Sequence, residues 1–175
     1  LSAPTPQRAD LRGAGVYIAT GTPVLSNNTI SGNRAVPAAG TMQAATFGYG
    51  GGLWAGFSST LTLTNNVITG NHAGDSTIAY SVGSGGGLVV FPGSGASGPL
   101  LDRNLVVDNT ADSLGGGLSL LSLASTAAEA VVTNNVVVGN TSGNGGGVYT
   151  YFVKTRIVNN TISDNEAFLG GGLYS

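Results

Sequence analysis

Cysteine is absent from this 175-residue chain, and charged side chains make up only 8% of it. Without cysteine there is no disulfide and no thiolate metal ligand. The formal net charge is −2, so the chain lacks the basic surface that binds nucleic acid or an anionic membrane. Its one histidine, His72, has no clustered partner in the sequence and predicts neither catalysis nor metal binding. We therefore expect no cofactor, no metal and no nucleic-acid partner.

Long apolar runs are missing too. The richest stretch, residues 118–138, is interrupted by Ser, Thr, Asn and Glu129, so we expect no membrane span. The chain starts without methionine or a signal peptide, as expected of a mature or excised piece of a longer protein. Thirty glycines, with many Asn, Ser and Thr, stand where Lys and Glu are usual. This composition favours an extracellular or cell-surface location.

The chain is instead rich in one repeated unit. An asparagine that usually follows another asparagine recurs in five copies, and a further asparagine comes five residues after it each time. Such fixed spacing between segments of varying length indicates a structural register, and one unit cannot bury its apolar face unless copies stack. The two columns are Asn28, Asn66, Asn104, Asn135, Asn160 and Asn33, Asn71, Asn109, Asn140, Asn165.

Apolar residues hold fixed positions around these asparagines, and their neighbours alternate with them in the period of two that strands show. We predict that three columns face inward. One precedes the first asparagine by three residues, one follows it by two, and one follows the glycine runs. They are Leu25, Leu63, Leu101, Val132, Ile157; Ile30, Ile68, Val106, Val137, Ile162; and Val16, Leu53, Leu88, Leu118, Val148, Leu173.

The predicted fold is an all-β, right-handed parallel β-helix of about five coils, each with about three short strands. Glycines would supply the positive φ of its corners. The asparagine amides would bond to one another up the stack and fix its register. Coils start near residues 13, 50, 85, 115, 145 and 170. Residues 1–12, with Pro4 and Pro6, break any strand and form an N-terminal extension or cap.

The chain stops one strand into a sixth coil, with no polar cap after Ser175. A solenoid end exposes unpaired backbone groups and apolar side chains. Two explanations remain open: the chain is cut from a longer solenoid, or the N-terminal segment of a second copy covers this end and gives head-to-tail growth.

The unit resembles the repeats of bacterial right-handed β-helix surface proteins, which include the chlamydial polymorphic outer membrane proteins and large secreted repeat proteins. The resemblance lies in GGGLWAGFSSTLTLTNNVITGNHA, residues 50–73, and GGGVYTYFVKTRIVNNTISDNEA, residues 145–167. It implies an extracellular protein of adhesion or envelope structure and identifies no ligand. Arg103, which replaces the first asparagine of its pair, departs from the pattern.

Catalysis needs separate evidence, because the same fold carries polysaccharide lyases and hydrolases. The acidic residues are scattered, and no spacing predicts a carboxylate pair. The best functional lead is an outward aromatic column that suits sugar stacking or contact with a partner, although covering the sheet is the favoured interpretation. It consists of Tyr17, Trp54, Tyr149 and Tyr174.

Two functions therefore remain. The first is a non-catalytic structural or adhesive solenoid of the cell surface, whose main partner is itself and which self-assembles head to tail into filaments. Polysaccharide or a host or neighbouring cell surface is its further candidate partner. The alternative is a carbohydrate-active β-helix that binds polysaccharide or cleaves it as a lyase or hydrolase.

Overall fold

A computed structural model describes residues 8–36, 45–75, 81–94, 97–122 and 128–175. Every regular element in these ranges is a β-strand, and most strands have two to five residues. In chain order the strands are β1 Arg8–Arg12, β2 Val16–Gly21, β3 Val24–Ser26, β4 Thr29–Ser31, β5 Arg34–Ala35, β6 Ala45–Tyr49, β7 Leu53–Ser59, β8 Thr62–Thr64, β9 Val67–Thr69, β10 His72–Ala73, β11 Ser81–Ser84, β12 Leu88–Val90, β13 Leu100–Asp102, β14 Leu105–Val107, β15 Thr110–Ala111, β16 Leu118–Leu121, β17 Ala130–Thr133, β18 Val136–Val138, β19 Thr141–Asn144, β20 Val148–Tyr151, β21 Thr155–Val158, β22 Thr161–Ser163, β23 Glu166–Leu169 and β24 Leu173–Tyr174.

The strands form parallel sheets, and each sheet collects the same strand of successive coils. Sheet B is β2-β7-β12-β16-β20-β24, sheet C is β3-β8-β13-β17-β21, sheet D is β4-β9-β14-β18-β22, and sheet A is β5-β10-β15-β19-β23. A shorter sheet, β1-β6-β11, flanks the first three coils. This is the predicted right-handed parallel β-helix.

Each coil contributes one strand to each of the four main sheets, not the three strands predicted, because the chain bends just before both asparagine columns. The residue ahead of each asparagine has a left-handed φ between 53° and 67°, which separates sheet C from D and D from A. Asparagine and aspartate tolerate this conformation because their short polar side chains bond locally. The bending residues are Asn27, Asn65, Arg103, Asn134, Asn159 and Gly32, Gly70, Asp108, Gly139, Asp164.

The prediction that residues 1–12 break any strand is wrong over Arg8–Arg12. These residues form β1, which pairs in parallel with β6 from Arg8 opposite Ala45 to Arg12 opposite Tyr49. Both prolines precede this strand, so nothing in it lacks a backbone donor. Residues 1–7 lie outside the described ranges.

The core runs along the axis and is built on the three predicted inward columns, together with further buried residues such as Leu61 and Leu120. Leu53, Leu63, Ile68, Leu88 and Val148 have no exposed surface. Val16, Leu25, Ile157 and Ile162, in the first and last coils, are partly buried and pack against the same cluster. Leu173 is 43% exposed because no strand of the described chain stacks beyond it.

Only the first glycine of each run has the positive φ predicted for the corners. The other two are required by close approach between coils. A Cβ on Gly51 would lie 2.6 Å from the carbonyl oxygen of Gly86, and one on Gly87 would lie 2.5 Å from that of Gly117. The Gly87 position also borders the Asn109 side chain at 3.1 Å. The third glycine therefore makes room for the second asparagine column.

Candidate functional site

The two asparagine columns form continuous hydrogen-bonded ladders. In the first, the backbone N–H and the Nδ2 of each asparagine donate to the Oδ1 of the asparagine in the next coil. From Asn66 to Asn104 both distances are 3.0 Å. From Asn135 to Asn160 they are 2.8 and 3.0 Å. The second ladder repeats this pattern from Asn33 to Asn165.

Each amide also binds the coil before it. Nδ2 of Asn109 donates to the carbonyl oxygen of Ile68 at 2.9 Å, and Nδ2 of Asn135 donates to that of Leu101 at 2.9 Å. The middle asparagines are at most 3% exposed, so an unmatched amide there would be costly. The ladders therefore have a direction: donors of one coil face oxygens of the next.

The aromatic column is two separate stacked pairs rather than a continuous stripe, because Val89 and Ser119 occupy the middle coils. Tyr17 stacks on Trp54 with ring centroids 4.8 Å apart. Tyr149 stacks on Tyr174 at 5.5 Å. Each pair has a buried and an accessible member: Trp54 is 3% exposed against 54% for Tyr17, and Tyr149 is 8% exposed against 37% for Tyr174.

The outer surface of sheet B carries a second apolar cluster, separate from the core inside the solenoid. Trp54, Val89 and Tyr149 pack there with Phe91 and Leu121. Arg12 contributes a guanidinium 5.2 Å from the centre of the Trp54 ring. Trp54 Nε1 is buried, and the described residues offer it no hydrogen-bond partner. Of the four residues in the column, only Tyr17 and Tyr174 are open to a sugar ring, and they lie at opposite ends of the sheet.

The fold assembles one polar cluster that the sequence does not predict. It lies on the outer face of sheet A, where His72 of β10 is in register with Arg34 of β5 and Thr110 of β15. Nε2 of His72 lies 2.8 Å from the Gly74 carbonyl oxygen and 3.8 Å from Oδ1 of Asp112. Nearby, the backbone N–H of Asp75 donates to Oγ of Ser81 at 2.8 Å.

Asp112 is the unusual member of this cluster. Its side chain is 10% exposed, and no described residue hydrogen-bonds its Oδ2. Burial raises its pKa, and His72 is the largest opposing effect. The Asp75 charge raises the pKa further, and smaller effects of Ser81 and Arg34 lower it. The arrangement places a buried carboxyl with a raised pKa near a second acidic residue. No sequence signal marks Asp112 as unusual. It follows a small residue in its coil, and the equivalent positions of the other coils hold unrelated residues: Val36, Gly74, Gly143 and Phe168.

A cavity of about 210 Å³ opens beside the first coil, lined by Leu11, Arg12, Ala14, Arg34, Ala35 and Val36. Arg12 is also paired with Asp10 at 3.5 Å. Four of the six lining residues are apolar, and the other two are the arginines Arg12 and Arg34. In the described ranges, three or more metal-ligating side chains do not converge at any point. Those ranges also hold no helix suited to crossing a membrane.

Stacked parallel sheets with buried asparagine ladders define a parallel β-solenoid. The family of the right-handed β-helix region matches residues 9–174, nearly the whole chain. The chain belongs to this family. Neither the curated proteins nor the solved structures contain a match to it.

Proposed function

We propose that this chain is a non-catalytic structural or adhesive β-solenoid of the cell surface, and that copies of it associate head to tail into filaments. The observation that carries the proposal is the complementarity of its two end faces. The edge strands β1, β2, β3, β4 and β5 form one face, and β21, β22, β23 and β24 form the other. Both present strand edges, which accept a further parallel strand by backbone hydrogen bonding.

The ladders supply matching groups at these faces. At each internal step the backbone N–H and amide of one asparagine donate to the Oδ1 of the next. The last coil therefore directs the N–H groups of Asn160 and Asn165 outward, and the first coil directs the oxygens of Asn28 and Asn33 outward. A second copy stacked in register would continue both ladders without a change of direction.

Charge and shape also match. Arg34, His72, Thr110, Thr141 and Glu166 form one in-register row across sheet A. Stacking would place Glu166 about one strand spacing, ~4.8 Å, from Arg34 of the second copy. It would also bring Phe168, which is 90% exposed, beside the cavity wall at Val36. The second copy would thus bury the most exposed large apolar side chain of the last coil.

A charge exchange tests this contact. Glu166→Arg sets two arginines against each other at every junction, and Arg34→Glu sets two glutamates against each other. We expect each variant alone to lose filaments in electron micrographs and to sediment as monomer. An equimolar mixture restores an opposite-charge pair at every junction and should form filaments again. Filaments of either single variant equal to the parent would overturn this geometry. Phe168→Ser should weaken assembly both in the parent chain and in the equimolar mixture of the two charge variants.

The location and the adhesive role rest on composition. Few charges and many Gly, Asn, Ser and Thr residues give a surface with few ionisable groups, which suits a structural or adhesive role more than a catalytic one. Fractionation of the source cells tests this, with the protein expected in the surface or culture fraction. Recovery in the soluble interior would contradict it.

One observation favours the carbohydrate-active alternative. Asp112 combines a burial-raised pKa with a nearby carboxylate, as acid catalysis of glycoside cleavage requires. The test is incubation with several acidic and neutral polysaccharides, with release of reducing ends and of unsaturated products followed by ultraviolet absorbance. Activity that disappears in Asp112→Asn would establish an enzyme and displace the structural proposal. Inactivity across the panel would leave Asp112 without a catalytic role.

A further inference from the structure

Sheet D differs from the other main sheets in its connections. In every coil, two residues join it to sheet C and two join it to sheet A, as residues 103–104 and 108–109 do in the third coil. The longer connections, such as residues 91–99 and 122–129, leave the coil stack at other corners. The outer face of sheet D is therefore flanked by short bends along the whole described stack.

The outer face of sheet D is aliphatic in the middle and carries hydroxyl groups at both ends. Leu105 and Val136 are each 38% exposed although both are apolar. Within the described strands of this sheet, none of the outward side chains is charged or aromatic. The face offers no ring for a sugar and no counter-charge for an ionic partner, so it fits another flat aliphatic sheet. The outward residues, strand by strand, are Thr29 and Ser31, Val67 and Thr69, Leu105 and Val107, Val136 and Val138, and Thr161 and Ser163.

The two corners beside the middle strand of this face carry opposite charges. Arg103 stands at a left-handed corner where the other coils have asparagine, and Asp108 stands at the next corner, where three other coils have glycine. Arg103 is bridged to Asp102 at 2.9 Å, yet its side chain is 63% exposed. These two departures from the repeat therefore lie on opposite edges of sheet D in the same coil.

From these features we propose that sheet D is a self-association face, on which a second copy packs its own sheet D about a two-fold axis parallel to the coil stack. Strands run in opposite directions across this contact, so Leu105 faces Val107 of the second copy. Each Arg103 then lies opposite the Asp108 corner of the other copy, and two opposite-charge pairs form together. If the stacks ran in opposite directions instead, Arg103 would face Arg103 and Asp108 would face Asp108.

The size of the face decides which assemblies can use it. Its five strands, about 4.8 Å apart and about 10 Å long, cover roughly 240 Å². A stable interface buries about 800 Å² on each partner, so two single copies do not hold together in this way. The inference therefore rests on the proposed head-to-tail association, because about four successive copies in a filament present enough area. Each filament stays one solenoid wide, and two filaments of the same polarity lie side by side with their sheets about 10 Å apart.

Charge variants at the two corners test the pairing. We expect filaments of the parent chain to lie in side-by-side pairs in negative-stain micrographs at high protein concentration. Arg103→Asp sets like charges across the contact and should lose the pairs, while single filaments form as in the parent. The double variant Arg103→Asp with Asp108→Arg restores opposite charges and should pair again. The fold accepts both changes, because Arg and Asp already occur at left-handed corners of this chain.

A matched pair of lysine substitutions tests the aliphatic middle. Val136→Lys, on the outer face of sheet D, should abolish the pairs, whereas Val131→Lys, on sheet C of the same coil, should leave them unchanged. Pairs of Arg103→Asp or Val136→Lys filaments as frequent as those of the parent would overturn the proposed face. Parent filaments that never pair would also overturn it and leave head-to-tail association intact. Failure of the parent to form filaments would overturn both.

Discussion

The Asn109→Ala substitution removes a fully buried ladder side chain and tests what the ladders contribute to stability. Oδ1 of Asn109 accepts from the backbone N–H and the Nδ2 of Asn71, both at 3.0 Å. Its Nδ2 lies 2.9 Å from the Ile68 oxygen, 3.1 Å from the Val107 oxygen and 3.0 Å from Oδ1 of Asn140. All of these contacts are lost in the alanine variant.

The loss can be estimated from the bonds. A typical intramolecular hydrogen bond stabilises by about 1 kcal/mol, and a buried donor left without an acceptor costs about 1–3 kcal/mol. Asn109 has no exposed surface, so water cannot replace the acceptor for the Asn71 N–H. We expect a loss of about 4 kcal/mol, a large share of the 5–15 kcal/mol that a folded domain typically has.

Asn33→Ala is the matched control, because Asn33 occupies the first coil of the same ladder. Its side chain donates to Oδ1 of Asn71 at 2.9 Å, and its backbone N–H keeps the other bond to that oxygen after substitution. We expect a loss of about 1 kcal/mol. Urea unfolding followed by the fluorescence of Trp54, the single tryptophan, measures both. Similar losses for the two variants would refute the claim that ladder bonds stabilise the coil stack.

Three other substitutions test the corners, the buried carboxyl and the aromatic face. Gly87→Ala should lower the urea midpoint strongly because its Cβ would meet the Gly117 oxygen. The control Gly70→Asn should change the midpoint little, because Gly70 lies in open space at a φ of 62°, close to that of aspartate at the equivalent position of other coils. Equal effects of the two variants would contradict the steric argument. Burial raises the pKa of Asp112, so its carboxyl favours folding below the unfolded pKa, about 3.9, and this contribution is lost as pH rises through the folded pKa. Asp112→Asn should therefore raise Tm at pH 7 relative to the parent, whereas the exposed control Glu166→Gln should not; a lower Tm would show that the charged form is stabilised. Trp54→Ala should cost about 3–5 kcal/mol as a buried aromatic, against less than about 1 kcal/mol for the exposed Tyr17→Ala. Urea unfolding followed by circular dichroism measures both, because the first variant lacks the fluorescent residue, and a larger loss for Tyr17→Ala would contradict the burial of Trp54.

The repeated positions could be predicted from the sequence because each has the same neighbours in every coil. Inward Leu63 and Ile68 and the ladder residue Asn66 follow from spacing alone, since stacking brings equal positions together. The number of strands per coil does not follow. At each bend two outward residues follow one another, as Thr64 and Asn65 do between the buried Leu63 and Asn66. A single polar pair does not distinguish a bend between two strands from one exposed stretch, so the left-handed φ of Asn65 could not be predicted from the apolar pattern.

The candidate site depends on contacts outside the repeat, which spacing does not encode. Trp54 is buried because Phe91 and Leu121, which extend beyond the regular columns, pack beside it. Asp112 meets His72 because its side chain leans across to the preceding coil, against Gly74. Such pairings depend on side-chain direction and on the path of the chain between sheets, and these vary from coil to coil.

The most direct test of the central claim, head-to-tail association of the coil stack, is electron microscopy of the purified 175-residue chain combined with fibre diffraction. The account predicts unbranched filaments one solenoid wide, with an axial reflection near ~4.8 Å because strands continue across each junction. Discrete monomers at every concentration would contradict it.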